Sequence, residues 1–245
     1  MDRWKYYDVT MRDHRFCNPL SSEKVDELIE VIRLAPGGRV LDIACGKAEL
    51  LVRLVERRGV SAVGIDLSPY CVRDAREKVG ARVPGADVTL LELDGAEFRD
   101  DPASFDLTMC VGASWVFGGH AGTLRALAGF TRPGGLVLVG EPFLQRDLGP
   151  SVAGGELESV SSHADNAAAG ETLGLTLLYT LVSSDDDWDH YEGLRWQAAE
   201  RYAVAHPDDP DVPEILARTR AGRDRYLRWE RDAVGWGVYL FRKGG

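Results

Sequence analysis

The patterns that hold metals and disulfides are missing from this chain. Its four cysteines, Cys17, Cys45, Cys71 and Cys110, share no paired spacing, which argues against a zinc site or a disulfide framework and for reduced, structural thiols. The five histidines form no ligand pair such as HxxxH, so no metal is expected. His190 lies among Asp185, Asp186, Asp187, Asp189 and Glu192, which reads as the solvated acidic start of a helix. An excess of basic residues is also lacking. The 29 Lys and Arg against 39 Asp and Glu leave a net charge of -10, unsuited to a nucleic-acid groove or an anionic membrane face, although local basic patches are compatible with it. No apolar run approaches the roughly 18 residues of a membrane span. Met1-Asp2-Arg3-Trp4-Lys5 does not have the basic-then-apolar layout of a signal peptide, so a cytoplasmic protein is expected.

What is present is a regular alternation of strand and helix patterns in a chain long enough for one well-buried domain, 1–245. An amino-terminal cap and helix fill 1–37: Ser21 or Ser22 can cap it, Val25, Leu28, Ile29 and Ile32 recur at helical spacing, and Pro36-Gly37-Gly38 stops it. Strands are expected at 39–44, 62–65, 88–93, 105–111 and 136–140, with helices at 48–58, 69–79 and 123–130 between them. Arg132-Pro133-Gly134-Gly135 reads as a tight turn. A helix over 162–173 precedes strands at 176–183 and 237–242. The fold expected is α/β: a Rossmann-like, seven-stranded, mostly parallel sheet with helices on both faces and a helical insertion between the last two strands.

That insertion, 185–232, contains two helical patterns around His206-Pro207-Asp208-Asp209-Pro210. Trp188, Tyr191, Ala198, Ala199 and Tyr202 share one face of the first; Ile215, Thr219, Gly222, Tyr226 and Trp229 share one face of the second. These faces either dock the insertion onto the domain or close it as a lid over a substrate pocket.

The most informative stretch is Val40 to Leu51, VLDIACGKAELL. An apolar strand carries Asp42 near its end, breaks into a turn of small residues, and enters a helix whose first N–H groups are unpaired, the layout of a nucleotide-binding device. No GxGxxG follows this strand, and Asp42 would sit badly beside a pyrophosphate, which counts against a nicotinamide-dependent oxidoreductase. A carboxylate suits a ligand that brings positive charge. The chain resembles the class I S-adenosylmethionine-dependent methyltransferases, closely from Gly38 to Leu138. It departs from their glycine-rich pattern in that Ala44 and Ala48 replace two glycines around Gly46, with Cys45 and Lys47 between them.

The resemblance implies S-adenosylmethionine as cofactor, with S-adenosylhomocysteine as product, and a site built at four strand ends. Asp42, Ala44, Cys45 and Gly46 face the methionyl part, where Asp42 can also brace the turn by accepting backbone N–H groups. Asp66 accepts the ribose hydroxyls, or else caps the helix after Pro69, and Leu67 packs on the adenine. Asp94, Gly95 and Ala96 hold the adenine edge, unless Asp94 is a plain turn residue. Cys110 and Val111 run beside the methionine. Arg15 or Asn18 can reach the cofactor carboxylate, or Asn18 caps an ordinary loop.

Trp115 and Phe117 form an aromatic wall by the methyl group or pack in the core. His120 and Glu141 are the candidate catalytic residues, since either could remove or guide a proton; Glu141 could instead bind a cationic amine, and both could be mere surface or capping groups. With Trp188 and Tyr191 from the insertion, Trp115, Phe117 and Glu141 make up the expected acceptor pocket. The expected function is methyl transfer to nitrogen or oxygen of a small molecule, by a monomer or homodimer. The alternatives are a protein substrate or a non-catalytic cofactor-binding module; the Asn-Pro-Pro-Tyr type of motif used on nucleobases is absent after the fourth strand.

Overall fold

β1 (Arg39–Ile43) is apolar along almost its whole length, and this makes it a central strand buried on both faces. In the computed structural model, which describes residues 1–147, 149 and 160–245, it pairs in parallel with β2 (Ser61–Asp66) and β4 (Phe105–Val111). β3 (Val88–Glu92) extends the sheet beyond β2, and β5 (Thr131–Leu144) lies beside β4, both parallel. β7 (Val234–Lys243) runs antiparallel between β5 and β6 (Leu175–Val182), giving the order β3-β2-β1-β4-β5-β7-β6. The expected seven-stranded, mostly parallel architecture is therefore present. Chain order reverses between β1 and β4, and in open α/β sheets ligands bind at the carboxyl ends of strands on such a switch point.

Helices cover both faces. α2 (Ser22–Val31), α3 (Glu49–Arg58) and α4 (Pro69–Arg82) pack Val25, Leu28, Ile29, Leu51, Leu54 and Ala75 against Val40, Leu107, Leu138 and Val238. On the opposite face, α5 (His120–Phe130) sets Leu124 and Leu127 against Leu41, Ile43, Val137 and Tyr239, with α6 (His163–Thr172) beside it. Serine caps fix the starts of α2, α4 and α6: Ser21, Ser68 and Ser162 each accept from a backbone N–H three residues on.

Between β6 and β7 lie α7 (Asp185–Ala205) and α8 (Val212–Arg225), as the two helical patterns anticipate. α7 opens with a reciprocal capping box between Ser184 and Asp187. The face shared by Ala198, Ala199, Ile215 and Tyr226 is buried, so it docks the insertion. Its partner was not legible: α1 (Lys5–Thr10) inserts Tyr6 and Val9 against Ala199 and Ile215, and Lys5 Nζ reaches Asp209 and Asp211 at 2.8 and 2.6 Å. α8 then continues through a π-helical turn, Tyr226–Glu230, which places the Tyr226 hydroxyl 2.7 Å from Asp189 on α7. The turn expected at 132–135 is a bulge inside β5. Register passes from Thr131 opposite Phe105 to Leu136 opposite Leu107, so the extra residues loop out while pairing resumes on both sides.

Two groups tie this packing to pH. The Glu49 side chain, 5% exposed, meets Arg53, Lys78 and Arg82 within 2.9 Å; burial raises its pKa, but the three cations outweigh burial and bring it down to about 2. Burial lowers His14 to about 4, against the opposing bond of its Nε2 to the Tyr191 carbonyl. Both folded values lie below the unfolded ones, so the unfolded chain binds protons first. The stability each supplies is present above its unfolded pKa and is lost as pH falls, from 6.5 toward 4 for His14 and from 4.5 toward 2 for Glu49. Glu49→Gln should cost about 3 kcal/mol at pH 7 in urea unfolding, because three cations lose their buried partner. His14→Gln should flatten the wild-type decline of melting temperature between pH 6.5 and 4; an unchanged slope would contradict the assignment.

Candidate active site

The turn after β1 adopts an unusual backbone. Ala44, Gly46 and Ala48 all have positive φ, at 57°, 55° and 56°. Glycine would take these values without strain, whereas each alanine costs about 1 kcal/mol. The turn is held from the next strand: Asp66, ending β2, accepts the Gly46 N–H on Oδ2 and the Ser68 N–H on Oδ1, both at 2.8 Å. Asp66, not Asp42, braces the turn, and Ser68, not Asp66, caps α4. A carboxylate offers about four acceptor positions, so Asp66 keeps two for a ligand. Burial raises its pKa against the pull of those two N–H groups.

Asp42 is 5% exposed, and among the described residues no hydrogen bond or cation reaches its carboxylate. Burial, and then the charge of Asp66, raise its pKa well above the usual range. It lines a cavity of about 50 Å³ together with Arg15, Asn18, Ala44, Cys45, Gly46 and Val111, uniting seven of the expected cofactor residues. Among the described residues the Asn18 Oδ1 is buried there without a partner, and Arg15 hydrogen-bonds only the Ser22 hydroxyl, at 3.3 Å. One narrow space thus holds a buried carboxyl group, an orphan acceptor and a cation with no carboxylate partner among the described residues. This set is complementary to the zwitterionic end of an amino acid, and so to the methionyl part of S-adenosylmethionine.

The other strand ends follow. Asp94 Oδ1 accepts the Ala96 N–H at 2.9 Å, the turn role considered for it, and Leu67 is 39% exposed beside Asp66. A Cβ on Gly95 would lie 2.5 Å from Ile43 and 3.1 Å from Val116, so a side chain here would push apart the ends of β1 and the 114–117 turn. Cys110 points away from the cavity into the second core, and burial raises its thiol pKa. Trp115 is 75% exposed, while Phe117 packs against that core. Glu141 and His120 come together: His120 Nδ1 stands 3.6 Å from Glu141 Oε1. Trp188 packs on the first core, and the Tyr191 hydroxyl reaches the Cys17 carbonyl at 3.3 Å, so α7 lies on the amino-terminal segment that lines the cavity.

Four residues here escaped sequence reasoning. Lys47 Nζ binds the Met11 and Arg12 carbonyls and pairs with Asp74, pinning the amino-terminal segment to the turn. Cys17 sits over Gly46, its sulfur 3.1 Å from where a Cβ would be. Hydrogen bonds from the Cys71 thiol and the Lys47 N–H hold the Cys17 pKa below the usual thiol value, against its burial. Ser114 donates to Glu141 Oε2 at 3.1 Å. Trp236 lies flat across Gly112 and Gly140, where a Cβ would come within 2.8 and 3.1 Å of its ring. Only Trp236 left a signal, in Gly112 just past β4 and Gly140 within β5.

An open sheet with a crevice at its switch point, a turn without the phosphate-loop glycines and a lone buried carboxylate together define an enzyme for a nucleoside ligand with a cationic end. Comparison with known proteins agrees. Residues 40–135 match the family model described as a methyltransferase domain. The uncharacterized protein YjhP of Escherichia coli is 31% identical, with 98% of each chain covered. The crystal structure of an S-adenosylmethionine-dependent methyltransferase from Thiobacillus denitrificans, in complex with S-adenosylhomocysteine, superposes with a TM-score of 0.90 at 32% identity, over 98% of this chain and 99% of that one. The 27-O-demethylrifamycin SV methyltransferase of Amycolatopsis mediterranei is 26% identical, over 74% of this chain and 72% of its own. The chain belongs to the S-adenosylmethionine-dependent methyltransferase family.

Two outcomes follow from the turn. Ala48→Gly and Ala44→Gly should each stabilise the protein by about 1 kcal/mol in urea unfolding, the reverse of the usual glycine penalty; a loss of stability would refute the strain. Iodoacetamide at pH 8 should modify Cys17 ahead of Cys45, Cys71 and Cys110, read by peptide mass spectrometry, and earlier labelling of Cys71 would contradict the direction of their hydrogen bond.

Proposed function

We propose that this enzyme transfers a methyl group from S-adenosylmethionine to nitrogen or oxygen of a small molecule. The observation that carries the reading is the cavity in which buried, unpartnered Asp42 and orphan Asn18 Oδ1 stand with Arg15. Asp42 and Asn18 receive the cofactor ammonium, and Arg15 its carboxylate. Asp66 uses its two remaining acceptor positions for the ribose hydroxyls, and exposed Leu67 covers the adenine. Asp94 takes the adenine amino group on Oδ2. Because Asp94 already holds the Ala96 N–H, the Gly95 N–H is left for the ring nitrogen. When bound, the cofactor supplies a methyl carbon already activated by sulfonium. The protein's part is alignment of the nucleophile and exclusion of water.

The acceptor lies beyond Val111, near Trp236 and Trp115, and α7 and α8 act as a lid that contributes Trp188 and Tyr191. Support for a small acceptor comes from the net charge of -10, which disfavours nucleic acid, and from the rifamycin-modifying relative. The narrowness of the cavity agrees with a cofactor held at one end and an acceptor closed in by side chains.

Saturating S-adenosylhomocysteine should raise the melting temperature, by an amount that corresponds to about 2.7 kcal/mol at a hundredfold excess over Kd. Asp42→Asn should weaken its binding at least tenfold in calorimetry through loss of the anion facing the ammonium, and Asp66→Ala should do the same through the ribose. Isotopically labelled S-adenosylmethionine incubated with a metabolite extract should yield a labelled small molecule by mass spectrometry. Label found only in protein would replace the small-molecule reading, and an unchanged melting temperature would remove the cofactor assignment.

A further inference from the structure

Behind the crevice lies a buried polar chain whose atoms do not close on themselves. Glu141, in β5, is 7% exposed and among the described residues has a partner on only one oxygen: Oε2 accepts from the Ser114 hydroxyl at 3.1 Å. Oε1 is buried and has no hydrogen-bond partner. Across from it, at 3.6 Å, stands His120 Nδ1, also buried and without a partner. The state of that nitrogen is set by the other side of the ring. His120 Nε2 lies 2.8 Å from the Asn166 carbonyl, which can only accept, so Nε2 carries the proton and Nδ1 of the neutral ring presents a lone pair. With the ring in this neutral form, two acceptors face each other in a buried place, an arrangement that one added proton completes.

The surroundings keep this geometry. Asn166 is 3% exposed, and its Nδ2 donates to the Pro142 carbonyl and the Tyr239 hydroxyl at 3.1 and 3.4 Å. The Tyr239 hydroxyl is also 2.8 Å from His163 Nδ1. The carbonyl that fixes His120 is thus locked between β5, β7 and α6. Ser114 is fixed from the other end: its carbonyl accepts from the Gly119 N–H at 2.9 Å and the Thr123 hydroxyl at 3.2 Å. Both ring nitrogens of His120 are turned to protein groups, which leaves neither for a substrate. Ser114 is half-buried in the turn that follows the carboxyl end of β4, the edge of the sheet at the switch point, and Val116 of the same turn packs by Gly95.

We propose that Ser114 is the catalytic hydroxyl that takes the proton from the methyl acceptor, with Glu141 and His120 behind it as the proton sink. The proposal rests on the reading of the chain as a nitrogen or oxygen methyltransferase. In the step, a lone pair of the acceptor heteroatom forms the bond to the methyl carbon, and the electron pair of the broken carbon–sulfur bond stays on sulfur. The heteroatom's proton passes to Ser114 Oγ as the Ser114 proton passes to Glu141. A half-turn of the Glu141 carboxyl group then carries the proton from the Oε2 position to face His120 Nδ1, where it rests until it leaves to water after product release. Glu141 and His120 act through Ser114 and are positioning residues. This assigns separate tasks to two side chains that sequence reasoning treated as interchangeable bases.

The test combines a spectroscopic readout with turnover. In the full-length, ¹⁵N-histidine-labelled protein at pH 8, long-range ¹H–¹⁵N correlation should show His120 as the Nε2–H tautomer with Nδ1 unprotonated; an Nδ1–H tautomer overturns the proposal. Ser114→Ala and Glu141→Gln should bind S-adenosylhomocysteine within twofold of wild type in calorimetry, while formation of the labelled product from labelled cofactor and metabolite extract falls about 100-fold. Ser114→Thr, which keeps the hydroxyl, should recover most of that loss, a rescue that a packing role would not give. Wild-type turnover in Ser114→Ala overturns the relay alone. Absence of any labelled small molecule from the wild-type enzyme overturns the acceptor reading and the relay together.

Discussion

The carboxylate of Asp66 holds the site together. By accepting the N–H groups of Gly46 and Ser68, it joins the turn after β1 to the start of α4, just beyond the backbone bonds from Cys45 to Ile65 and from Leu93 to Asp66. The turn it secures carries two alanines in left-handed conformation, which a free loop would relax. From that turn the remaining order propagates. Lys47 reaches back to the Met11 and Arg12 carbonyls, Cys17 settles over Gly46, and the amino-terminal segment becomes one wall of the cavity. Tyr191 then meets that wall through the Cys17 carbonyl, which ties the inserted helices to the same point.

The sheet divides the chemistry between its faces because strand residues alternate. On β1, Asp42 points with Val40 toward the α2–α4 side, while Leu41 and Ile43 point to the other. On β5, Glu141 follows Val137 and Val139 to the α5–α6 side, and Gly140 leaves room for Trp236 on the first. The carboxylate that meets the cofactor and the carboxylate of the proposed relay are thus on opposite faces. They approach only at the carboxyl ends of β4 and β5, where Ser114 can connect the two.

Much of this was legible in the sequence, and the limits have physical causes. Strands and helices of the core declare themselves through periodicity, since burial of one face dictates it; hence β1 to β4, β6 and β7 lie within three residues of expectation, β5 is longer at both ends, and the insertion holds two helices as its patterns anticipate. Asp42, Asn18 and Arg15 could be brought to one cavity from the resemblance, because the turn is local and the switch point is topological. α1 was not legible. Its short apolar pattern gains meaning only from Ala199 and Ile215, which are distant in the chain. The Arg132-Pro133-Gly134-Gly135 segment carries the composition of a turn, and a bulge uses the same residues for the same conformational reasons. Ser114 gave no signal, since a serine after a strand is as common in loops as in sites, and what distinguishes it is the single oxygen of Glu141 that it reaches.

The pair Asp42 and Asp66 also shows how the apo protein is poised. Burial raises both pKa values, and for Asp42 the charge of Asp66 adds to it, so the folded chain holds protons that the unfolded chain has released. For such groups the linkage has the opposite sign to that of Glu49 and His14: stability is present at low pH and is lost as pH rises through the unfolded value near 3.8 toward the higher folded one. At neutral pH the fold therefore carries a cost concentrated in the cavity. A cation entering beside Asp42 removes that cost, whereas a neutral or anionic ligand would leave it or add to it. Selectivity for a ligand with a positive end is thus built into the folding energetics of the site.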